Sequence, residues 1–170
     1  MFPWLLAAIS CSVSVYLYYR NIKYRKLCLT LKDIGSGRGK KAGKDPETSY
    51  AARREGLEAL YTRIERYMEN DKPYLEDDFS LETLARDVAS NKSYVSKAVN
   101  RCYGNNFRRF VCTRRVEHAM GLIKENPRRK IQEIAAASGF SSSVSFTSAF
   151  KAELGMTPSE YQREIQSELI

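Results

Sequence analysis

A chain of 170 residues with a formal net charge of +8 is long enough for one domain with its own core, and its basic excess points to an anionic partner, either nucleic acid or an acidic membrane surface. Cys11, Cys28, Cys102 and Cys112 show no CxxC spacing and His118 is the only histidine, so no metal site is expected and the thiols read as reduced. The sequence has no nucleophile–base pair, no P-loop lysine and no acidic pair in a catalytic context, which argues against an enzyme and implies no cofactor.

Charge is distributed in blocks. Residues 20–54 hold 11 Lys or Arg against 3 Asp or Glu, whereas 55–170 hold 17 of each. Inside that neutral stretch, residues 80–151 carry 13 basic against 5 acidic side chains, between two acidic shoulders.

Residues 2–19 (FPWLLAAISCSVSVYLYY) contain no charge, and Arg20, Lys23, Arg25 and Lys26 follow at once. This pattern predicts a single membrane-spanning helix over 1–19, at the lower limit of length, with its N-terminus outside and the rest cytoplasmic by the positive-inside rule. On that reading the protein is a single-pass protein of an inner membrane. A core helix of a longer parent protein or an interfacial helix are the alternatives. Residues 20–54 then form a basic juxtamembrane segment and linker, of which 33–48, with four glycines and one proline, read as a flexible tether.

From residue 55 the pattern is helical throughout, without useful strand alternation. Leu57, Leu60, Tyr61, Ile64, Tyr67 and Met68 recur at spacings of three and four and predict an amphipathic helix over 56–69, packed internally or pairing two chains. Ser80 can cap a short helix carrying Leu84, Ala85 and Val88, and Asn91 a second carrying Tyr94, Val95, Ala98, Val99 and Cys102, stopped at Gly104. A long helix over about 106–126 buries Phe107, Phe110, Val111, Val116, Ala119, Met120 and Ile123. The short pair then recurs: Ile131, Ile134 and Ala135 before Gly139, and Val144, Phe146, Ala149, Phe150 and Leu154 before Gly155. Thr157-Pro158-Ser159-Glu160 opens a closing helix with an N-cap, a proline at the first helical position and a capping-box glutamate.

Two short-helix pairs on a rod of about 20 residues, about 30 Å long at 1.5 Å per residue, match the separation of successive major grooves, about 34 Å. The expected fold is therefore all-α, with two homeodomain-like helix-turn-helix subdomains joined by a long linker helix. The boundaries are 55–104 for the first unit and its preceding helix, 105–127 for the linker and 128–168 for the second unit and closing helix.

Residues 80–165 resemble the DNA-binding domain of the AraC/XylS family of bacterial transcription regulators. The resemblance is carried by Ile131-Gln132-Glu133-Ile134-Ala135, Gly139-Phe140-Ser141, Phe146, Phe150-Lys151 and Gly155-Met156-Thr157-Pro158-Ser159-Glu160-Tyr161, and more loosely by Leu84-Ala85, Asn91 to Ser96, Tyr103-Gly104 and Phe107. It implies a sequence-specific regulator that binds double-stranded DNA. In the first recognition helix the family's base-facing sites correspond to Ser93, Ser96 and Lys97, with Lys92 and Asn100 nearby. In the second they fall on Ser143, Val144, Thr147 and Ser148, an uncharged surface of short reach, so the first unit is expected to dominate specificity. Ser142, Arg108, Arg109, Arg114, Arg115, Arg128, Arg129 and Lys130 are the candidate phosphate contacts, and His118 reads as a packing or surface residue. The N-terminal third also resembles the membrane-proximal part of regulators in which a sensor region precedes a transmembrane helix. The input signal is then absent or comes from a separate sensor protein; a homodimer partner and RNA polymerase are further candidates. A truncated regulator and a membrane-anchored helical interaction module are the competing readings.

Overall fold

The computed structural model describes the backbone of residues 46–168 and the side chains of residues 56–167, within a compact unit spanning 44–170. Residues 1–45 lie outside the described residues, and with them the expected span at 2–19 and most of the basic tether. Among the described residues no helix is long and apolar enough to cross a membrane. The two longest, of 25 and 19 residues, carry charges along their whole length. The single-pass inner-membrane placement is accordingly corrected and is not carried forward.

The described elements are seven α-helices: α1 (Pro46–Asn70), α2 (Leu81–Asp87), α3 (Lys92–Cys102), α4 (Phe107–Glu125), α5 (Ile131–Ala137), α6 (Ser143–Leu154) and α7 (Pro158–Glu168), with one 3-10 turn (Pro73–Leu75) between α1 and α2. Helix α1 begins ten residues earlier than its apolar periodicity predicts, taking in residues assigned to the linker. The reason is local. Pro46 is pre-set for a first helical turn, and Ala51-Ala52-Arg53-Arg54 have high helix propensity.

The caps predicted at Ser80, Asn91 and Thr157 form, and Asn106 adds another. Ser80 Oγ accepts from the Thr83 amide (3.2 Å) while Thr83 Oγ1 accepts from the Ser80 amide (2.9 Å), a capping box with threonine in the usual glutamate place. Asn91 Oδ1 accepts from the Tyr94 amide and Asn106 Oδ1 from the Arg109 amide, each at 2.9 Å. Thr157 and Glu160 exchange bonds at the head of α7.

Each short-helix pair buries one stripe. In the first unit Leu84, Val95, Ala98 and Val99 are sealed from solvent, and α1 covers α3 with Leu60, Tyr61, Ile64 and Met68. In the second, Phe146 and Phe150 meet edge to face at 5.5 Å, Phe150 meets Tyr161 of α7 at 5.6 Å, and Phe140 meets Phe146 at 5.2 Å. Helix α4 touches both units, burying Phe110, Val111, Thr113, Val116, Ala119, Met120 and Ile123 around most of its circumference. A buried phenylalanine or isoleucine contributes roughly 1.5–3 kcal/mol, which makes these stripes the main source of stability. Phe107, expected inside, is half-buried against Phe79, with ring centroids 5.7 Å apart.

Candidate nucleic-acid interface

Helix α3 presents a polar face opposite its stripe. Lys92, Ser93, Lys97 and Asn100 are exposed and Ser96 is half-buried; all but Asn100 line an open cleft shared with Leu81 and Glu82 at the head of α2. Lys92 pairs with Glu82, whose carboxyl is held below its usual value by the hydrogen bond and charge of that ammonium. Both partners are exposed, so water and an incoming phosphate compete for the pair. Lys97 Nζ lies 6.0 Å from the Tyr94 ring centroid.

Tyr94 itself departs from expectation: it is 48% exposed instead of packed in the stripe. Val95, Ala98, Val99 and Cys102 already complete the i, i+3, i+4, i+7 pattern, and Tyr94 stands one residue, about 100°, off it. That phase was the available signal, and it adds an aromatic ring to the face formed by Lys97 and Ser93.

Helix α6 offers a different chemistry. Ser145, Ser148 and Val144 are exposed, Val144 at 77%, while Ser143 and Thr147 are half-buried. Ser142 caps the helix: its Oγ accepts from the Ser145 amide (3.2 Å) and lies 3.0 Å from Ser145 Oγ. An exposed valine in the first turn of a capped helix is an apolar contact point, and the unpaired amides of that turn favour an anion.

The candidate phosphate-binding cations divide into two sets. Arg108, Arg128 and Lys130 are exposed. Arg109 is half-exposed and bonded to Glu153 at 2.8 Å, and Arg129 lies 3.8 Å from Glu133. Arg114 and Arg115, also expected among the phosphate contacts, turn inward and are engaged by acceptors of the protein itself. Arg114 pairs with Glu65 of α1 and with Glu117 (3.3 Å), over the Phe110 ring. Arg115 donates from Nε to the Tyr74 carbonyl (2.6 Å) and from a terminal nitrogen to the Glu76 carbonyl (2.8 Å). The acceptors that claim these arginines lie far away in sequence, which is why basicity alone could not sort them.

His118 sits half-buried with its ring 6.5 Å from Tyr74, edge-on. Burial first, then Lys72 and Arg129 against the opposing pull of Glu125, lowers its pKa below the ordinary 6.5. The native state thus favours the neutral ring: its contribution to stability is complete above pH 6.5 and is lost as pH falls through the depressed folded value. Because the chain has one histidine, a single imidazole resonance should titrate with a midpoint below 6.5; a midpoint at or above that value would contradict this environment.

A helix-turn-helix domain family matches residues 84–164, from the middle of α2 into α7. The chain is 27% identical over 115 residues to the Msm operon regulatory protein of Streptococcus mutans, covering 65% of this chain and 41% of that protein's length. The C-terminal domain of AraT, a response regulator from Geobacillus stearothermophilus, superposes with a TM-score of 0.56 at 27% identity, over 62% of this chain and 84% of that one. A Chromobacterium violaceum transcriptional regulator described by its AraC-type DNA-binding domain shares the fold at 20% identity, with a TM-score of 0.56 over 65% of this chain and 95% of that one.

Proposed function

We propose that this chain, whose residues 84–164 match a helix-turn-helix domain family, is an AraC-type regulator that binds duplex DNA in a sequence-specific manner and regulates transcription. The observation that carries the reading is the pairing of α3 and α6. Each is capped at its N-terminus, buries one apolar stripe and leaves the opposite face open, with lysines and an asparagine on α3 and small residues on α6, and the two are joined by the 19-residue rod α4, about 28 Å long. That length approaches one turn of duplex, about 34 Å, so one chain can address two successive major grooves.

In this reading Lys97 donates to guanine and Asn100 pairs with adenine, each worth about 1–3 kcal/mol of discrimination when well formed. Ser93 and Ser96 add shorter contacts. Lys92 joins them once it leaves Glu82. On α6, Val144 touches a thymine methyl, and Ser143, Thr147 and Ser148 bond to base edges or phosphates. Arg108, Arg128, Lys130 and the amides behind Ser142 neutralise phosphates, and Arg109 and Arg129 do so after leaving their carboxylate partners.

These roles predict separable losses. Lys97→Ala should relax the preference at one base position. Arg108→Ala should weaken specific and random duplexes alike and reduce the slope of log affinity against log salt by about 0.9. Titrations of both variants on both duplexes check this, and equal losses on the two duplexes for both variants would overturn the assignment.

A further inference from the structure

A rigid rod does not by itself fix two recognition helices, because each unit joins α4 through a short loop, 103–106 on one side and 126–130 on the other. We propose that Arg115, Thr113 and Gly139 act as positioning residues that lock the two helix-turn-helix units in one mutual orientation, and so set the base-pair separation the chain accepts between its half-sites. The inference rests on the DNA-binding reading above for its second half only.

Two bridges cross α4. In the first, the Arg115 guanidinium bonds the carbonyls of Tyr74 and Glu76, which belong to the connector entering the first unit, and lies 5.8 Å over the ring of Phe140 in the second unit. The same connector presses on the turn between α5 and α6. A Cβ at Gly139 would stand 2.7 Å from the Tyr74 carbonyl oxygen and 2.8 Å from that of Leu75, so the missing side chain is what lets the two units touch. In the second bridge, the Tyr103 hydroxyl at the end of α3 donates to Thr113 Oγ1 (2.7 Å). Thr113 Oγ1 in turn lies 3.1 Å from the Glu153 carboxylate of α6, with the Arg109 carbonyl at 3.0 Å as its alternative acceptor. Glu153 is nearly enclosed, with 5% of its side chain exposed, and Arg109 holds it at 2.8 Å.

The two bridges oppose one another. At 3.6 residues per turn, Thr113 and Arg115 project about 200° apart around α4. A single tie would leave a hinge; ties on opposite sides of a rod resist bending both ways. Polar ties suit this role, since two carbonyls held in one fork admit a single geometry where apolar packing admits several.

The test uses the full chain with Cys11, Cys28, Cys102 and Cys112 replaced by serine and nitroxide labels at Arg101→Cys and Lys151→Cys, exposed positions on α3 and α6. Pulsed electron resonance should give one narrow distance distribution for the parent. Arg115→Lys, which keeps the charge but replaces the planar two-nitrogen fork with a single ammonium, and Thr113→Val, which keeps the shape but not the hydroxyl, should each broaden or shift it while the helical circular dichroism is retained. On duplexes whose half-sites are moved apart by about 5 bp, half a turn, the parent should lose most of its affinity and the variants markedly less. Distance distributions unchanged in both folded variants would overturn the lock. Broadened distributions with an unaltered spacing preference would overturn its role in site selection. A parent that binds no duplex at any spacing would refute the DNA-binding reading and with it that role, leaving the distances to decide the lock alone.

Discussion

Gly139→Ala is expected to destabilise the protein by about 3–5 kcal/mol, the sum of a left-handed backbone strain of about 1–2 kcal/mol and a steric clash of similar or larger size. The residue sits at φ +76°, where an L side chain is strained whatever the space, and its Cβ would meet two backbone carbonyl oxygens inside 3.0 Å. Backbone cannot swing away as a lysine tip can, so the connector or the second unit must move. Two other glycines provide an internal scale. Gly155 also has positive φ (+79°) but nothing within 4 Å, so its alanine variant should lose only the strain, about 1 kcal/mol. Gly121 lies within α4 with nothing within 4 Å, and alanine there should stabilise by about 0.5–1 kcal/mol through helix propensity. Thermal unfolding should therefore rank Gly121→Ala, parent, Gly155→Ala and Gly139→Ala from highest to lowest melting point. A Gly139→Ala variant melting within a degree or two of the parent would contradict the close approach.

Glu65→Ala should cost about 3 kcal/mol, whereas the double replacement Glu65→Met with Arg114→Met should cost less, about 1 kcal/mol, from the lost Tyr61 and Glu117 contacts. The ion pair joins α1 to α4 with only 15% and 16% of the two side chains exposed. Glu65 also accepts the Tyr61 hydroxyl at 2.6 Å. Removing the carboxylate leaves the guanidinium in a low-dielectric site with Glu117 as its remaining recorded ion-pair partner, and leaves the Tyr61 hydroxyl without its acceptor. Removing both charges spares the desolvation cost, and methionine fills the volume. Chemical denaturation of the single and double variants measures the difference. A single variant as stable as the double would mean that water reaches the pair and that α1 is held by its apolar stripe alone.

The contrast between stripes and arginines explains what could be read from the residues alone. On α3 and α6 the buried positions follow one face, so Val95, Ala98 and Val99, and Phe146 and Phe150, declare their burial by spacing. The caps at Ser80, Asn91, Asn106, Ser142 and Thr157 are local by nature and equally legible. Helix α4 is different. It is packed by both units, so Phe110, Val111, Val116 and Met120 leave no single polar face from which to infer where Arg108, Arg109, Arg114 and Arg115 point. The fates of Arg109, Arg114 and Arg115 depend on Glu153, Glu65 and the carbonyls of Tyr74 and Glu76, partners some 40 residues away. Tyr94 differs for the opposite reason: the stripe beside it is complete without its ring, so aromatic character alone does not place it inside.

The most direct test of the central claim, that α3 and α6 read two adjacent stretches of one duplex, is selection of bound molecules from a random duplex pool by the full chain. The account predicts two enriched motifs at one fixed separation of about 10 bp, with more information in one than in the other. A pool that stays random, or a lone motif with no second element at a constant distance, would contradict it.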